Sequence, residues 1–292
     1  MRVYFPSYYK QFKCIADKCR HSCCIGWEIG VDAETMTRYN ALADESVLSE
    51  IKDGCIEMTD DGRCPFLRRD GLCRLIVEYG DDYTSEICRE HPRFYHRVGD
   101  RVEMGIGPSC EEACRLIFSS GYNDFCFEDK EIDPDVDTDY DTILHREKIY
   151  QMLHQGSGDV YSSLVKIADE YKIELELINN INESGVLSEL ELLDEGHREL
   201  IALGRVDPRT DMQIYYERFF AYLVFRHLSL ADSYDNLRAR LGFCILLTLI
   251  LENGMAADDA MINELARIIS EEIEYSEDNT ADLIFEIECL LI

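Results

Sequence analysis

Several things are scarce in this 292-residue chain, and each scarcity argues against a class of function. Lysine and arginine number 29 against 59 aspartates and glutamates, a formal net charge of -30. Binding nucleic acid requires a basic surface that displaces the counterions of phosphates, so this balance argues against that partner and equally against anionic membranes. Long apolar runs are missing too. The longest, Phe243 to Leu251 with one threonine, is about half of what a bilayer-spanning helix needs. The opening MRVYFPSYYKQFK offers no apolar signal core and no small-residue cleavage site, so a soluble, cytoplasmic protein is expected. No fixed-period repeat is found.

Familiar cofactor signatures are absent as well. There is no C-x2-C knuckle of a zinc ribbon, and the ferredoxin run C-x2-C-x2-C and the radical-enzyme spacing C-x3-C-x2-C are missing. The G-x-G-x-x-G turn of a dinucleotide fold is represented only by Gly105-Ile106-Gly107.

What the chain does have is cysteine. Ten of its thirteen fall within the first 114 residues, four of them in Cys14-x4-Cys19-x3-Cys23-Cys24. A reducing compartment keeps thiols free, and the adjacent Cys23 and Cys24 cannot bridge each other without strain, so metal coordination is favoured over disulfides. Further thiols follow at Cys64, Cys73, Cys88, Cys110 and Cys114, with an imidazole at His91. Soft thiolate ligands select zinc or iron-sulfur clusters, and either metal fits this donor set. Cys64, Cys73 and Cys110 lie in or beside predicted turns, where backbone N–H groups are free to reach sulfur. His91 is a candidate ligand or hydrogen-bonded neighbour of the metal, and His21 a candidate neighbour. Arg89, Arg93 and Arg115 follow cysteines closely and are candidates to neutralise thiolate charge. Cys55, Cys126, Cys244 and Cys289 read as bystanders. A cysteine-protease arrangement would leave the other thiols unexplained.

The composition changes where cysteine stops. The first 126 residues carry 22 acids and 16 bases, and the remaining 166 carry 37 and 13. Between them FEDKEIDPDVDTDYD reads as an exposed acidic linker. The expected organisation is a cysteine-rich metal domain over 1–126, a linker over 127–141 and an α-helical domain over 142–292, mainly α with some α+β character. Short β-hairpins are expected over Cys55 to Leu75 and at Gly99-Asp100, joining Arg93–Val98 with Val102–Ile106. Alternation over Ile25 to Val31 predicts a strand, and Asp32 a helix cap for residues up to about 52. Ser109 and Glu112 have capping-box spacing for a helix to about Phe118. Later helices are expected over Tyr140–His154, Val160–Tyr171, Leu187–Leu203, Asp211–Leu228, Ser233–Leu251, Ala257–Ile273 and Asn279–Leu290. Ile214 to Leu228 is apolar on nearly every side and should lie at the centre of a bundle, where Arg226 and His227 would need polar partners.

The order of these motifs resembles the flagellin lysine-N-methylase family, part of a broader group of cysteine-rich zinc- or iron-chelating domains. The likeness rests on the Tyr9-Lys10 lead into Cys14, the Cys23-Cys24 pair with Gly26-Trp27, CPFL at Cys64, GLC at Cys73, ICREHPR at Ile87 to Arg93 and SCEEACRL at Ser109 to Leu116. It covers roughly residues 1–120, and members tend to be longer than this chain. The resemblance implies methyl transfer from S-adenosylmethionine to lysine ε-amino groups of a protein substrate, flagellin, assisted by an iron-sulfur cluster (4Fe-4S). Its ligands would be drawn from Cys14, Cys19, Cys23, Cys24, Cys64, Cys73, Cys88 and Cys110. It assigns no catalytic or S-adenosylmethionine-binding residue. Glu90, Glu111 and Glu112, beside cysteines, are candidates for lowering the pKa of a substrate lysine. The competing expectation is a non-catalytic scaffold, stabilised by zinc or iron, that binds a protein partner.

Overall fold

The computed structural model describes residues 2–99, 101–121, 124–129, 137–138, 141–155, 159–179, 181, 185–202, 211–254 and 258–291. The fold is mainly α with two small sheets. In the larger sheet, β1 (Arg2–Pro6) runs parallel to β6 (Arg101–Ile106) and antiparallel to β7 (Phe125–Asp129). β5 (Arg93–Val98) pairs antiparallel with β6 and parallel with β8 (Asp137–Thr138), giving the order β7-β1-β6-β5-β8. The β5–β6 hairpin is the expected one, with Gly99 at φ +61 entering its turn and Asp100 outside the described residues. Opposite Phe94 the ladder places Gly105, where an added Cβ would lie 2.2 Å from the Phe94 ring. The aromatic ring therefore lies across the partner strand, and only glycine makes room for it.

Residues 29–90 form the second unit. Asp32 caps α1 (Ala33–Leu42) by accepting from Thr35 N at 2.9 Å. The helix ends sooner than expected, at Ala43 in a left-handed conformation, and is followed by the short α2 (Glu45–Leu48). β2 (Ile29–Gly30), β3 (Ile51–Lys52) and β4 (Cys55–Ile56) make a three-stranded sheet. The strand expected over Ile25 to Val31 is thus reduced to two residues. Gly26 at φ +80 breaks the extended run, leaving Ile25 in an isolated bridge to Arg63. The turn signals at Asp60-Asp61-Gly62 and Asp70-Gly71 do form turns, closed by Gly62 N to Thr59 O and Gly71 N to Arg68 O. α3 (Arg74–Tyr79) and α4 (Glu86–Glu90) complete the unit. Asp32 also accepts from Glu86 N at 2.8 Å, tying the start of α1 to the start of α4.

The remaining helices are α5 (Glu111–Ser119), α6 (Ile143–His154), α7 (Val160–Glu170), α8 (Leu175–Asn179), α9 (Val186–Glu189), α10 (Gln213–His227), α11 (Tyr234–Asn253), α12 (Asp259–Ile269) and α13 (Glu277–Leu290). Two are central. α10 is buried on most sides, as expected, and α11 beside it buries nearly everything from Leu237 to Glu252. The helix expected over Leu187–Leu203 is not formed among the described residues, which end there at 202: only α9 and a 3-10 turn at Glu195–His197 are helical. Tertiary hydrogen bonds replace the intrahelical ones there. Glu272 accepts from the backbone of Leu193 and Asp194, and Asn279 bonds both the N–H and the C=O of Glu191. The acidic segment 127–141 lies largely outside the described residues, which include Phe127 to Asp129 at the end of β7.

The apolar contacts form three groups. The main core joins the helices to Tyr8, Phe12, Ile106 and α5, so cysteine-rich sequence contributes directly to the bundle. A separate small core holds Ile29, Tyr39, Val47, Ile56, Cys64, Phe66 and Leu75. Val3, Phe5, Val102 and Met104 form the third, within the larger sheet. No helix among the described residues is long and apolar enough to cross a membrane.

Sheet and helices are also joined by buried charge. Glu103, fully buried on β6, accepts two hydrogen bonds of 2.6 Å from Arg146 of α6, and further ones from Arg101 and from Ser229 at 2.8 Å. Burial works against the Glu103 charge, but the two guanidiniums outweigh it and hold the carboxyl down at about 2. A depressed carboxylate stabilises the fold above its unfolded value of 4.5 and loses that contribution as pH falls toward 2. Arg146→Met leaves Glu103 without its bidentate partner and is expected to cost about 3 kcal/mol in denaturant unfolding at neutral pH. The deficit should shrink as the pH is lowered from 4.5 toward 2.

Candidate metal centre

The cysteines are all free of disulfides, and the structure sorts the eight candidate ligands into two places. Cys24, Cys64, Cys73 and Cys88 belong to the small core: Cys64 is buried within it and the other three pack against it. Cys64 lies within electrostatic range of the other three, and Cys88 within range of Cys24 and Cys73. Each arrives from a different local element. Cys24 follows the N-terminal loop, Cys64 follows the Gly62 turn, Cys73 caps α3 and Cys88 lies on α4. The Cys64 N–H donates to Cys24 O at 2.8 Å, which sets two of the four side by side.

Cys14, Cys19 and Cys110 lie elsewhere. Cys110 packs against the helical core as the cap of α5, within electrostatic range of Cys14 and Cys19. It occupies the cap position that the sequence spacing assigned to Ser109. The Cys14–Cys19 loop is held down by ion pairs. Arg20 bonds Glu111 through its backbone at 2.8 Å and its side chain at 3.0 Å, and His21 bonds Glu264 of α12 at 2.8 Å. Cys23 stands between the two sets, in range of Cys14, Cys24 and Cys88.

The surroundings of these thiols suit a metal. Burial pushes Cys64 up to about 12 and Cys110 up to about 11, which keeps them protonated until a cation draws the thiolate. Opposing this, backbone N–H groups favour the thiolate at Cys64 (Phe66), Cys73 (Leu75 and Ile76) and Cys110 (Glu112 and Ala113). A hydrogen bond from Cys23 holds Cys24 down at about 6. Arg63, Arg74 and Arg89 also lower Cys24, Cys73 and Cys88 respectively. Arg63 and Arg74 carried no sequence signal beyond lying next to a cysteine. Arg93 donates to Arg89 O and packs over Phe12, and Arg115 is engaged by Glu112, so neither serves the thiols directly. Cys114, one of the further thiols of the sequence, is buried and donates to Asn263 O; of the bystanders, Cys244 is buried. Cys55 donates to Glu28, Cys126 lies in β7, and Cys289 is exposed.

No three of the eight sulfurs lie within 4.8 Å of one another. Among the described residues, the group of possible ligands that meets this spacing is His197, Glu271 and Glu272. Those three are already used, Glu271 by Arg267 and Glu272 by His197 and two backbone N–H groups.

The carboxylates beside cysteines are engaged too. Glu90 bonds Tyr95, Glu112 bonds Arg115, and Glu111 bonds Arg20 and receives the Cys19 thiol at 3.8 Å. Partial burial works against Glu111's charge, but Arg20's backbone and guanidinium outweigh it and hold the carboxyl below its usual range. His91 faces rings rather than sulfur, 6.5 Å from Trp27 and 6.0 Å from Tyr275 between centroids. Burial, then Arg226 and Arg93, push its imidazole down to about 4, so it is neutral.

Tyr275 marks a buried polar knot joining the cysteine-bearing segments to the bundle. Its hydroxyl donates to Pro92 O, and its ring meets Trp27 edge-on at 5.6 Å. Arg226 lies 4.5 Å over that ring and 2.8 Å from Tyr222 OH, and Glu274 bonds Tyr222 and His227. The partners that Arg226 and His227 needed are therefore Glu274, Tyr222 and Tyr275. Ser270–Glu274 is a π-helical turn, which turns Glu272 and Glu274 into the interior. A cavity of about 420 Å³ is lined by Tyr4, Arg101, Glu103, Phe125, Arg146 and Tyr150, with its arginines paired to Glu103.

With this geometry in place, comparison with known proteins is informative. Part of the chain is similar to lysine-N-methylases. Over 127 residues, 39% of the chain, it is 28% identical to the lysine-N-methylase of Salmonella typhimurium, and equally so to that of Salmonella choleraesuis. It is 27% identical over the same length to the flagellar biosynthetic protein FliU of Salmonella muenchen, of which the match covers 75%. The chain spans about a third of the length of the two lysine-N-methylases. No family model matches, and no solved structure matches.

The knot gives a direct test. A Cβ on Gly107 would lie 2.3 Å from Tyr275 OH and 2.8 Å from Arg226 Nη1. Gly107→Ala is expected to lower stability by about 1–3 kcal/mol. It should also shift the emission of Trp27, the chain's single tryptophan, as the ring contact with Tyr275 opens.

Proposed function

We propose that this chain is a metal-dependent protein lysine N-methyltransferase that uses S-adenosylmethionine as methyl donor, acts on flagellin or a similar cytoplasmic protein, and holds an iron-sulfur cluster on its cysteines. The observation that carries the reading is the pairing of two facts: a stretch of the chain is similar to lysine-N-methylases, and eight cysteines from five separate segments converge at two neighbouring places. A flagellin-related substrate is supported by the name of the third relative.

The donor set fits a thiolate-bound metal. Cys24, Cys64, Cys73 and Cys88 would hold it, with backbone N–H groups and Arg63, Arg74 and Arg89 offsetting the charge of four thiolates. Tetrahedral zinc with bonds of about 2.3 Å brings its sulfurs to about 3.8 Å from one another. The reading takes the larger iron-sulfur cluster because a stretch of the chain is similar to lysine-N-methylases, the family whose likeness implies one. When bound, such a cluster supplies redox chemistry and, where an iron is left unligated, a Lewis-acid position.

The remaining requirement falls on the protein. A lysine ammonium must lose its proton before its nitrogen can accept a methyl group from a sulfonium. Glu111, beside Cys19, is held low and is a weak base for that purpose, so it would orient a cationic side chain rather than deprotonate it. The strongly acidic surface suits approach of a lysine-bearing substrate.

A non-catalytic scaffold is the second reading, favoured by the placement of one thiol within, and three against, a core of only seven buried side chains. The test is to purify the full chain without oxygen, measure iron, zinc and sulfide, and incubate it with S-adenosylmethionine and purified flagellin. Methyl-lysine by mass spectrometry, lost after iron chelation, is the expected result. Bound zinc without sulfide and without methyl-lysine would leave the scaffold.

A further inference from the structure

We infer that the cavity of about 420 Å³ lined from β1, β6, β7 and α6 is a binding site for a small organic anion that carries a flat ring. It uses none of the thiols and does not depend on the methyl-transfer reading.

The floor of the cavity holds more positive charge than its own carboxylate meets. Glu103 lines it, fully buried, and accepts four hydrogen bonds. Its Oε1 takes one from Arg101 and one from Arg146, and its Oε2 takes one from Arg146 and one from Ser229. Arg146 commits both terminal nitrogens to that carboxylate. Arg101 is under-used by comparison. Its Nη2 bonds Glu103, its Nε is buried with no hydrogen-bond partner among the described residues, and 15% of its side chain stays open. Guanidiniums do not lose their proton, so two unit charges face one. A carboxylate or phosphate entering the cavity supplies the missing counter-charge and an acceptor for the open part of Arg101.

The walls are aromatic. The Arg101 guanidinium lies 4.5 Å over the Tyr4 ring, a contact that holds the cation in place. Phe125 and Tyr150 are nearly parallel, 13° apart in plane and 6.4 Å between centroids. The Tyr150 hydroxyl donates to Ala221 O at 2.8 Å, so its polar end is engaged in the bundle and its ring is left to line the cavity. Flat apolar walls beside a cation select a ligand that is flat at one end and anionic at the other. The volume is within the range of small-molecule sites, about 300–1,000 Å³.

Two features oppose an anion. Glu147, next to Arg146 on α6, is exposed and lines the same cavity, and the chain as a whole carries a charge of -30. Both act through water and are screened beyond about 8 Å at physiological salt. The floor acts at hydrogen-bond range, so the site selects by contact and not by attraction from a distance.

The experiment is calorimetric titration of the full chain, at about 0.15 M salt, with four probes. Adenosine 5′-monophosphate carries a phosphate close to its ring, and S-adenosylhomocysteine carries a carboxylate farther away. Adenosine supplies the ring alone and inorganic phosphate the anion alone. At least one of the first two should bind with a Kd of roughly 10–100 µM, and the last two at least about tenfold more weakly. The binding partner identifies the source: a nucleotide in the first case, the proposed methyl donor, whose product S-adenosylhomocysteine is, in the second. Arg101→Gln should weaken binding about tenfold at unchanged far-ultraviolet dichroism. Glu147→Gln, on the exposed side, should tighten it about twofold to threefold, a gain that misfolding does not imitate. Neither anionic probe binding at about 1 mM, or adenosine or phosphate alone binding as tightly, would overturn the site. So would a folded Arg101→Gln chain that binds like the native one. Where Arg101→Gln does not fold, unchanged or weaker binding in Glu147→Gln overturns it instead. Binding of the nucleotide without S-adenosylhomocysteine keeps this site and removes it as the seat of the methyl donor, so the two readings fail separately.

Discussion

A guanidinium buried between the bundle and the cysteine-bearing segments sets the terms for much of this molecule. Arg226 is on the central helix with its side chain only 13% exposed, so its charge is met largely inside. Glu274 meets it, with Tyr222 OH and the faces of Phe94 and Tyr275 completing the shell. For Glu274 to point inward, the helix leading to it widens into a π turn, and the same turn delivers Glu272 to the backbone at Leu193 and Asp194. Tyr275 follows at once and reaches Pro92, Trp27 and His91. One desolvated cation thus fixes the helix ending, the path of a neighbouring segment and the seat of the cysteine-rich unit.

The two cores rest on different physics. The main core is large, and its two central helices bury long apolar faces against each other. The small core is too poor in apolar area to be expected to stand alone, and cysteine replaces aliphatic side chains at its centre. The burial of those thiols is unfavourable to their charged form, and the nearby arginines and N–H groups offset that cost.

Much of this was legible from sequence wherever local chemistry governs. The cap at Asp32, the hairpin from Arg93 to Ile106 and the helices over Val160–Tyr171 and Ser233–Leu251 follow from turn residues, caps and apolar length. Failures occurred where distant partners decide. Leu187–Leu203 has helical composition, but Glu272 and Asn279 capture its backbone groups. The Ile25 to Val31 alternation was overridden by Gly26 and by the docking of Trp27 on Tyr275. The sorting of cysteines was hidden because the sets interleave along the chain. Adjacency of Cys23 and Cys24 made the N-terminal motif look like one group of four, whereas Cys24 packs against the small core and Cys14 and Cys19 lie within electrostatic range of Cys110.

The contiguity of the small core has a consequence for biosynthesis. Its buried side chains and four thiols all fall between residues 24 and 88, so among the described residues the apolar members of that core come from one stretch of the chain. On a ribosome this unit can close while the bundle is still unmade. The approach of Cys14 and Cys19 to the neighbourhood of Cys110, by contrast, depends on α5, and α5 is seated by α10 and α12, which emerge far later. The first-made cysteines of the chain are therefore among the last to find their partner, and until then they are exposed thiols that the cell must keep reduced.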